Sequence, residues 1–340
     1  MSNAIQTLIF DRAGFHPVDV KPQWDYVSWQ LNEIGVGKFT LPYEDENCTT
    51  DVLRPGNRIL VRFESGLSPF GGVLDFPRRR TSTGVQMTVY SAEHILTWRE
   101  TAAIKTFTST ASGTIYQTLL EEADSISSTG IAVGSIYTGG TVRTETYHHH
   151  KLWDAISQLQ RLSGEDFYIA PYYYGGRLTF IANWYESQGT DLSSSVLLVE
   201  DRNLSQLTMD EQGPIANQVR AAGGGAGGIA WDDRLIGTAQ DGTSRSAYGY
   251  RERTEIMTAI FDQVTLDASA AAILAELKDA RERLSCSVLD TDPADFSRYA
   301  VGDTVQVQGF LKTTQWAIDQ SMRIYGREWR PDNICQLELA

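Results

Sequence analysis

From Trp24 onward the chain alternates apolar and polar residues in short runs. DYVSWQL places Val27, Trp29 and Leu31 on one face, NEIGVG reverses the chain, and KFTLP returns with Phe39 and Leu41 in phase. That period of two marks half-buried strands. After the acidic loop YEDENCTTD, a Pro-Gly turn at Arg54 to Asn57 opens NRILVRFE, where Ile59, Val61 and Phe63 alternate with Arg58, Leu60 and Arg62. GLSPFGG turns the chain again, VLDF goes back, and VQMTVYSA keeps Val85, Met87 and Val89 together. Five strands in about 70 residues predict a small antiparallel barrel or sandwich within residues 1–100.

Residues 101–195 change period. Ser112 is placed to cap a helix carrying Ile115, Leu119 and Leu120; KLWDAISQLQRLSG then sets Leu152, Ile156, Leu159 and Leu162 on one stripe and stops at Gly164. EDFYIAPYYYGGRLTFIAN reads as a hairpin turning at Gly175-Gly176. Residues 196–340 return to strands, around VLLVEDRNLSQLTMDEQ and IANQVRAA. A helix over 267–284 follows, with Ile273, Leu274, Leu277, Ala280 and Leu284 as its apolar face, and then the strands GDTVQVQG, QWAIDQSMRIYGREW and NICQLEL. The expected fold class is mainly β with an α+β insertion: a barrel over 1–100, a mixed module over 101–195, and a second barrel with a bracing helix over 196–340.

Composition narrows the functional classes. Of the 340 residues, 41% are hydrophobic and 21% charged, which excludes disordered and low-complexity chains. Lys and Arg total 29 against 43 Asp and Glu, a net charge of −14, so the field repels phosphate and argues against a dedicated DNA or RNA binder. Cys48, Cys286 and Cys335 are odd in number and share no metal or redox spacing, as expected of a protein made in a reducing cytosol. The N-terminus lacks a basic n-region, and no run approaches the ~18 apolar residues of a span, so neither a signal peptide nor a membrane anchor is expected.

Candidate chemistry is sparse. Gly223 to Gly228 contains a formal GxGxxG, but the following IAWDDRLIGTAQDGT has no helical period, and a loop is expected in place of a dinucleotide cradle. His148 and His150, alternate residues of the one histidine cluster, are metal candidates only if three chains meet on a symmetry axis. Asp290, Asp292 and Asp295 approach a calcium loop, yet Asp295 and Val301 stand where that pattern needs Gly and Glu, so a solvated turn is expected. Arg78-Arg79-Arg80 reads as a salt-bridged surface or a subunit contact. No nucleophile elbow, HExxH or P-loop lysine motif is present, and no catalytic residue, cofactor or enzymatic activity is expected.

Three segments in order resemble the hub proteins of phage tail tips and baseplates. WDYVSWQLNEIGVGKFTLP with RPGNRILVRFESGLSPFGGVLDF looks like the opening barrel of those hubs, through Trp29, Gly37, Phe39, Pro42, Pro55, Gly56, Gly71 and Gly72. HHHKLWDAISQLQRLSGEDFYIAPYYYGGRLTF, with Gly164, is similar to their helix-then-hairpin module. LKDARERL, YAVGDTVQVQ with Gly302 and Asp303, and SMRIYGREW look like the second tube-like barrel.

The resemblance implies a homotrimer in the virion tail tip, whose two barrels per chain imitate a six-subunit tube. Its implied partners are the tail tube or distal tail ring, a distal spike or fibre, and DNA in transit without specific binding. It also implies similar folds for the two β lobes, and an acidic channel wall, with Asp45, Glu46, Asp232 and Asp233 as candidates. The chain stops at Ala340 after a barrel-type strand, from which no C-terminal lysin or fibre domain is expected. Two further readings remain: a host-surface carbohydrate binder using Tyr172-Tyr173-Tyr174 and Trp184-Tyr185, and a peptidoglycan hydrolase using a carboxylate pair.

Overall fold

The structure is a computed structural model describing residues 5–101, 104–224, 234–311, 316–332 and 334–340. The N-terminal lobe is built from β1 (Ile5–Phe10), β2 (Val18–Val20), β3 (Gln23–Gln30), β4 (Val36–Pro42), β5 (Arg58–Phe63), β6 (Phe70–Arg80) and β7 (Gly84–Ser91), in the antiparallel order β3-β4-β7-β6-β5-β1-β2. The alternation in the sequence identifies β3 to β7 but misses β1 and β2. In β1, Thr7 to Phe10 are all buried, so this strand has no polar face to advertise it.

A 3-10 turn over Ala92–Trp98 leads into the mixed module, made of β8 (Lys105–Ala111), α1 (Ser112–Ile126), β9 (Ile131–Ile136), β10 (Val142–Tyr147), α2 (Leu152–Ser163), β11 (Asp166–Tyr174) and β12 (Arg177–Tyr185). The β11–β12 hairpin forms around Gly175 and Gly176, both at positive φ, and β9 joins β12 in parallel. Gly164 ends α2 in the left-handed region at φ 73°, its N–H donating to Gln160 O at 2.9 Å. Ser112 does not cap α1. It is the first helical residue, and its hydroxyl donates to Thr141 O at 3.0 Å.

The C-terminal lobe comprises β13 (Leu197–Val199) and β14 (Leu204–Gln212), then a small subunit of β15 (Gln218–Gly223), β16 (Ile236–Gln240), α3 (Gly242–Tyr248), β17 (Glu252–Met257) and α4 (Gln263–Leu277). The chain then returns through β18 (Arg281–Leu289), β19 (Thr304–Leu311), β20 (Trp316–Trp329) and β21 (Ile334–Leu339). The helix expected over 267–284 therefore starts earlier and ends at Leu277. Asp262 fixes its start by accepting from Thr265 N at 2.9 Å. Leu284, expected on the helix, points into the β core from β18 together with Cys286 and Val288. Rather than bracing a barrel, α4 covers the β15–β17 sheet, where Leu266, Ala270, Ile273 and Leu277 share a core with Leu162 of α2.

Mainly β architecture with antiparallel sheets and a few helices is what the pattern predicts. The two lobes, however, are joined edge to edge. Residues 326–329 of β20 pair antiparallel with β3, so that Arg327 faces Trp29 and Trp329 faces Val27. The result is one 13-stranded sheet running from β14 to β2, with β19 and β13 branching from β20, and no closed barrel forms among the described residues. A common core crosses this seam. Phe63 of the first lobe meets Trp329 of the second at a ring distance of 5.2 Å, and also meets Trp29 at 5.6 Å. These large, buried rings weld the lobes by removing apolar area from water at roughly 25 cal/mol per Å².

Candidate functional site

The side-chain geometry divides into what holds the parts of the fold together and where the sheet path ends. The rigid part is a junction of three regions at Asp166, the first residue of β11. Its Oδ1 accepts from Asn32 Nδ2 at 2.7 Å, and its Oδ2 accepts from Gln188 N at 2.8 Å and from Arg323 Nη2 at 2.5 Å. Asn32 sits in the β3–β4 turn at φ 60°, and its Oδ1 takes Phe167 N–H at 2.8 Å. Arg323, midway along β20, also donates to Gln188 O at 2.6 Å and Gly302 O at 3.0 Å. One carboxylate thus ties the N-terminal lobe, the mixed module and the C-terminal lobe together. Charge-assisted bonds of this kind are among the strongest available.

Gly302 and Asp303 belong to the same junction. Gly302, at φ +100°, lies against the Gln188–Gly189 backbone, and a Cβ on Gly189 would stand 2.2 Å from the Gly302 carbonyl carbon. Asp303 accepts from Thr190 N and Ala300 N, both at 2.7 Å. The other hub-like positions shape the first lobe. Phe39 is fully buried against Trp24 at 5.0 Å, Trp29 packs on Phe63 and Phe70, and a Cβ on Gly37 would reach 2.7 Å from Val89 Cγ2. Pro42 ends β4. In the Pro55-Gly56 turn, Gly56 holds φ +88° and Pro55 O accepts from Arg12 Nε and Nη2. A Cβ on Gly71 would lie 2.3 Å from Pro171 Cβ, so this glycine lets β6 lie against β11, while Gly72 lies against the Tyr90 carbonyl.

A second seam is polar and buried. Along β10, Arg143, Glu145 and Tyr147 share the inward face; Arg143 pairs with Glu145, Tyr147 donates its hydroxyl to Glu145, and Arg143 Nη2 donates to Ser269 Oγ of α4 at 2.8 Å. This network locks the β15–β17 subunit to the mixed module. Tyr147 is pushed well above the ordinary tyrosine value, by burial first and the Glu145 charge second, so it stays a donor.

Most of the sequence candidates lie among the described residues. His148 to His150 do not form an extended strand, because His149 turns at φ 51°. His150 spends both ring nitrogens: Nδ1 accepts from His148 N at 3.1 Å, and Nε2 bonds Thr258 Oγ1 at 2.8 Å. Burial lowers its pKa, and the bond from His148 N acts the other way. Gly223 ends β15 and Gly224 N donates to Ile260 O at 2.8 Å; residues 225–228, Asp232 and Asp233 lie outside the described residues. Asp290 Oδ1 accepts from Phe296 N at 2.8 Å, and Arg298 bridges Asp292 and Asp295, which makes DTDPADF a self-closed turn. Arg78 donates to Leu53 O at 3.3 Å, and none of Arg78, Arg79 or Arg80 has a carboxylate partner among the described residues, so of the two expectations, a salt-bridged surface or a subunit contact, the first does not hold.

The aromatic run divides sharply. Tyr172 and Tyr174 are 54% and 77% exposed and stack at 6.4 Å on the outer face of the hairpin. Tyr173 packs inward on Phe10 under Arg62. Trp184, read from sequence as an exposed platform, is fully buried against Tyr116 and Phe167 and donates Nε1 to Glu165. Because β12 alternates, Trp184 belongs to its inward set with Leu178, Phe180 and Ala182.

Among the described residues the sheet path ends in β2, whose one strand partner is β1, and in β14, whose one strand partner is β18. Both ends are partly covered: Asn47 Nδ2 donates to Asp19 O of β2 at 3.1 Å, and Leu204 of β14 forms a bridge with Glu200. This fold is similar to those of solved phage tail proteins. The chain is similar over 100% of its length to a tail protein from Neisseria meningitidis MC58, covering 96% of that chain at 15% identity and a TM-score of 0.61. It is likewise similar to the prophage tail protein gp18 from Listeria monocytogenes EGD-e, with 98% and 94% of the two chains covered, 12% identity and a TM-score of 0.58. The 43 kDa tail protein of prophage MuSo2 from Shewanella oneidensis covers 98% of each chain at 10% identity and a TM-score of 0.58. No protein-family profile matches the chain, and no curated protein sequence matches it.

Proposed function

We propose that this protein is a structural hub of a phage tail tip, a homotrimer that closes the tail tube, adapts it to a distal spike or fibre, and opens for DNA passage. The observation that carries the reading is the single sheet spanning both lobes, which among the described residues ends at β2 and β14 with no further strand beside either. Sheet edges are templates for further pairing, and a head-to-tail contact in which β14 of one copy meets β2 of the next gives a closed ring when three such steps complete a full turn. Three copies carrying two lobes each supply six tube-like units, the number a six-subunit tail ring presents. The Asp166 junction and the buried Arg143–Glu145 pair keep the units in fixed relation, as an adaptor under load requires. The role is mechanical rather than enzymatic. An acidic balance of −14 suits a channel through which DNA passes without adhering.

Paired cysteines test the edge contact. Asp19→Cys in β2 and Asp210→Cys in β14, oxidised in the assembled particle, are expected to give a ladder of cross-linked species ending at three. A ladder ending elsewhere, or none, counts against the reading. The stacked Tyr172 and Tyr174 support a second reading, a host-surface carbohydrate contact. Glycan-array binding by the isolated chain, lost in Tyr174→Ser, would favour it.

A further inference from the structure

Between the N-terminal lobe and the mixed module lies a cleft of about 450 Å³, lined by Arg12, Arg58, Arg99, Trp98, Asp75 and Thr129 among others. That volume is ordinary for a small-ligand pocket. Its charge is not ordinary for this chain, because three arginines line it in a protein of net charge −14. Arg12 donates Nε and Nη2 to Pro55 O, Arg58 donates Nη1 to Leu178 O at 2.8 Å, and Arg99 donates Nη2 to Ala123 O. Each is therefore fixed in place by a main-chain carbonyl, and among the described residues none forms an ion pair with a carboxylate.

Arg58 is the most demanding of the three. It is only 4% exposed, lies over the Phe180 ring at 5.3 Å, and approaches Gly130 so closely that a Cβ there would stand 1.8 Å from Nη2. A buried cation without a counter-ion is costly. Burial and the neighbouring Arg177 lower it to about 10, while Asp11 acts the other way, so it remains charged at neutral pH. The lining's one carboxylate, Asp75, is engaged elsewhere: Oδ2 pairs with His94 Nε2 at 2.9 Å and Oδ1 accepts from Phe76 N at 2.8 Å. Asp124, beneath the same loop, accepts from the Thr129 main chain and hydroxyl.

We infer that this cleft is a binding site for a small oxyanion of the phosphate or carboxylate class, held by Arg12, Arg58 and Arg99. The planar guanidinium fork matches both anions in two-point geometry. The site stands apart from the sheet edges used for assembly, and the inference is independent of the hub reading.

Titration of the full-length chain with inorganic phosphate and with citrate, at constant ionic strength set with chloride, tests it by calorimetry and by thermal unfolding. Saturable binding of at least one anion is expected, with a matching rise in unfolding temperature. Phosphate binding more tightly assigns a phosphoryl ligand, and citrate binding more tightly assigns a carboxylate. Arg12→Gln and Arg99→Gln, both at the rim, should each weaken binding about tenfold to a hundredfold. Asp75→Asn, which removes the one negative charge of the lining, should tighten it about two- to fivefold. Absence of saturable binding by the parent chain overturns the inference, and so does equal affinity in all variants. If a rim variant fails to fold, Asp75→Asn alone decides, and unchanged or weaker binding in that variant overturns the site.

Discussion

Replacing Asp166 by Ala removes the one group that all three regions share. Its side chain is 4% exposed and accepts from Asn32 Nδ2, Gln188 N and Arg323 Nη2. Two bonds from neutral donors contribute about 1 kcal/mol each, and the charged Arg323 bond about 1.5–3 kcal/mol. Arg323 is 22% exposed and keeps its carbonyl partners Gln188 O and Gly302 O, so its stranded charge is partly relieved. The expected loss is therefore about 3.5–5 kcal/mol, with little added for a stranded charge. Urea unfolding followed by tryptophan fluorescence measures it, with Trp184 reporting on the mixed module and Trp29 and Trp329 on the lobe seam. A double-mutant cycle with Asn32→Ala should show about 1 kcal/mol of coupling. A loss below about 1 kcal/mol, or additivity within about 0.3 kcal/mol, would refute the claim that this carboxylate binds the regions together.

Three other outcomes follow from the geometry. Gly71→Ala should cost about 1–3 kcal/mol by driving β6 off Pro171, and a neutral effect on unfolding temperature would deny the close approach. Glu93 is buried with Oε1 accepting from Ile169 N, and burial raises its pKa. The folded state thus holds this proton more tightly than the unfolded state, and stability falls as pH rises from the unfolded value through the folded one. Glu93→Gln should accordingly gain on the parent between pH 4 and pH 8 in urea unfolding, whereas a gap that shrinks with pH contradicts the burial argument. Tyr172→Ser with Tyr174→Ser should leave the monomer's stability within about 0.5 kcal/mol, since both rings are exposed. A larger loss would mean that the two rings are packed rather than exposed.

Local features were legible in the sequence where local physics dictates them. The alternation of Val27 with Trp29 and of Ile59 with Val61, the helix stripe ending at Gly164, and the Gly175-Gly176 reversal all follow from backbone periodicity and positive φ. β1 lacked alternation and was missed. The apolar stripe of α4 ran on into β18 because Leu284 fits a helical period as well as an alternating one, and only the β18–β21 pairing decides between them. The β3–β20 seam and the Asp166 junction had no signal at all. Asn32 and Arg323 lie 134 and 157 residues from Asp166, and each alone is an ordinary polar residue of a turn or strand. Trp184 looked like an exposed platform because a run of aromatics does not reveal which members face inward until the strand's register is known.

The central claim is a three-fold ring at the tail tip, and imaging of the assembled particle by electron cryomicroscopy tests it most directly. The account predicts three copies per ring, with β2 and β14 covered by neighbouring copies and each contact burying more than about 1,000 Å² in total. One or six copies in the ring, or sheet edges left open to solvent in the assembled tip, would contradict it.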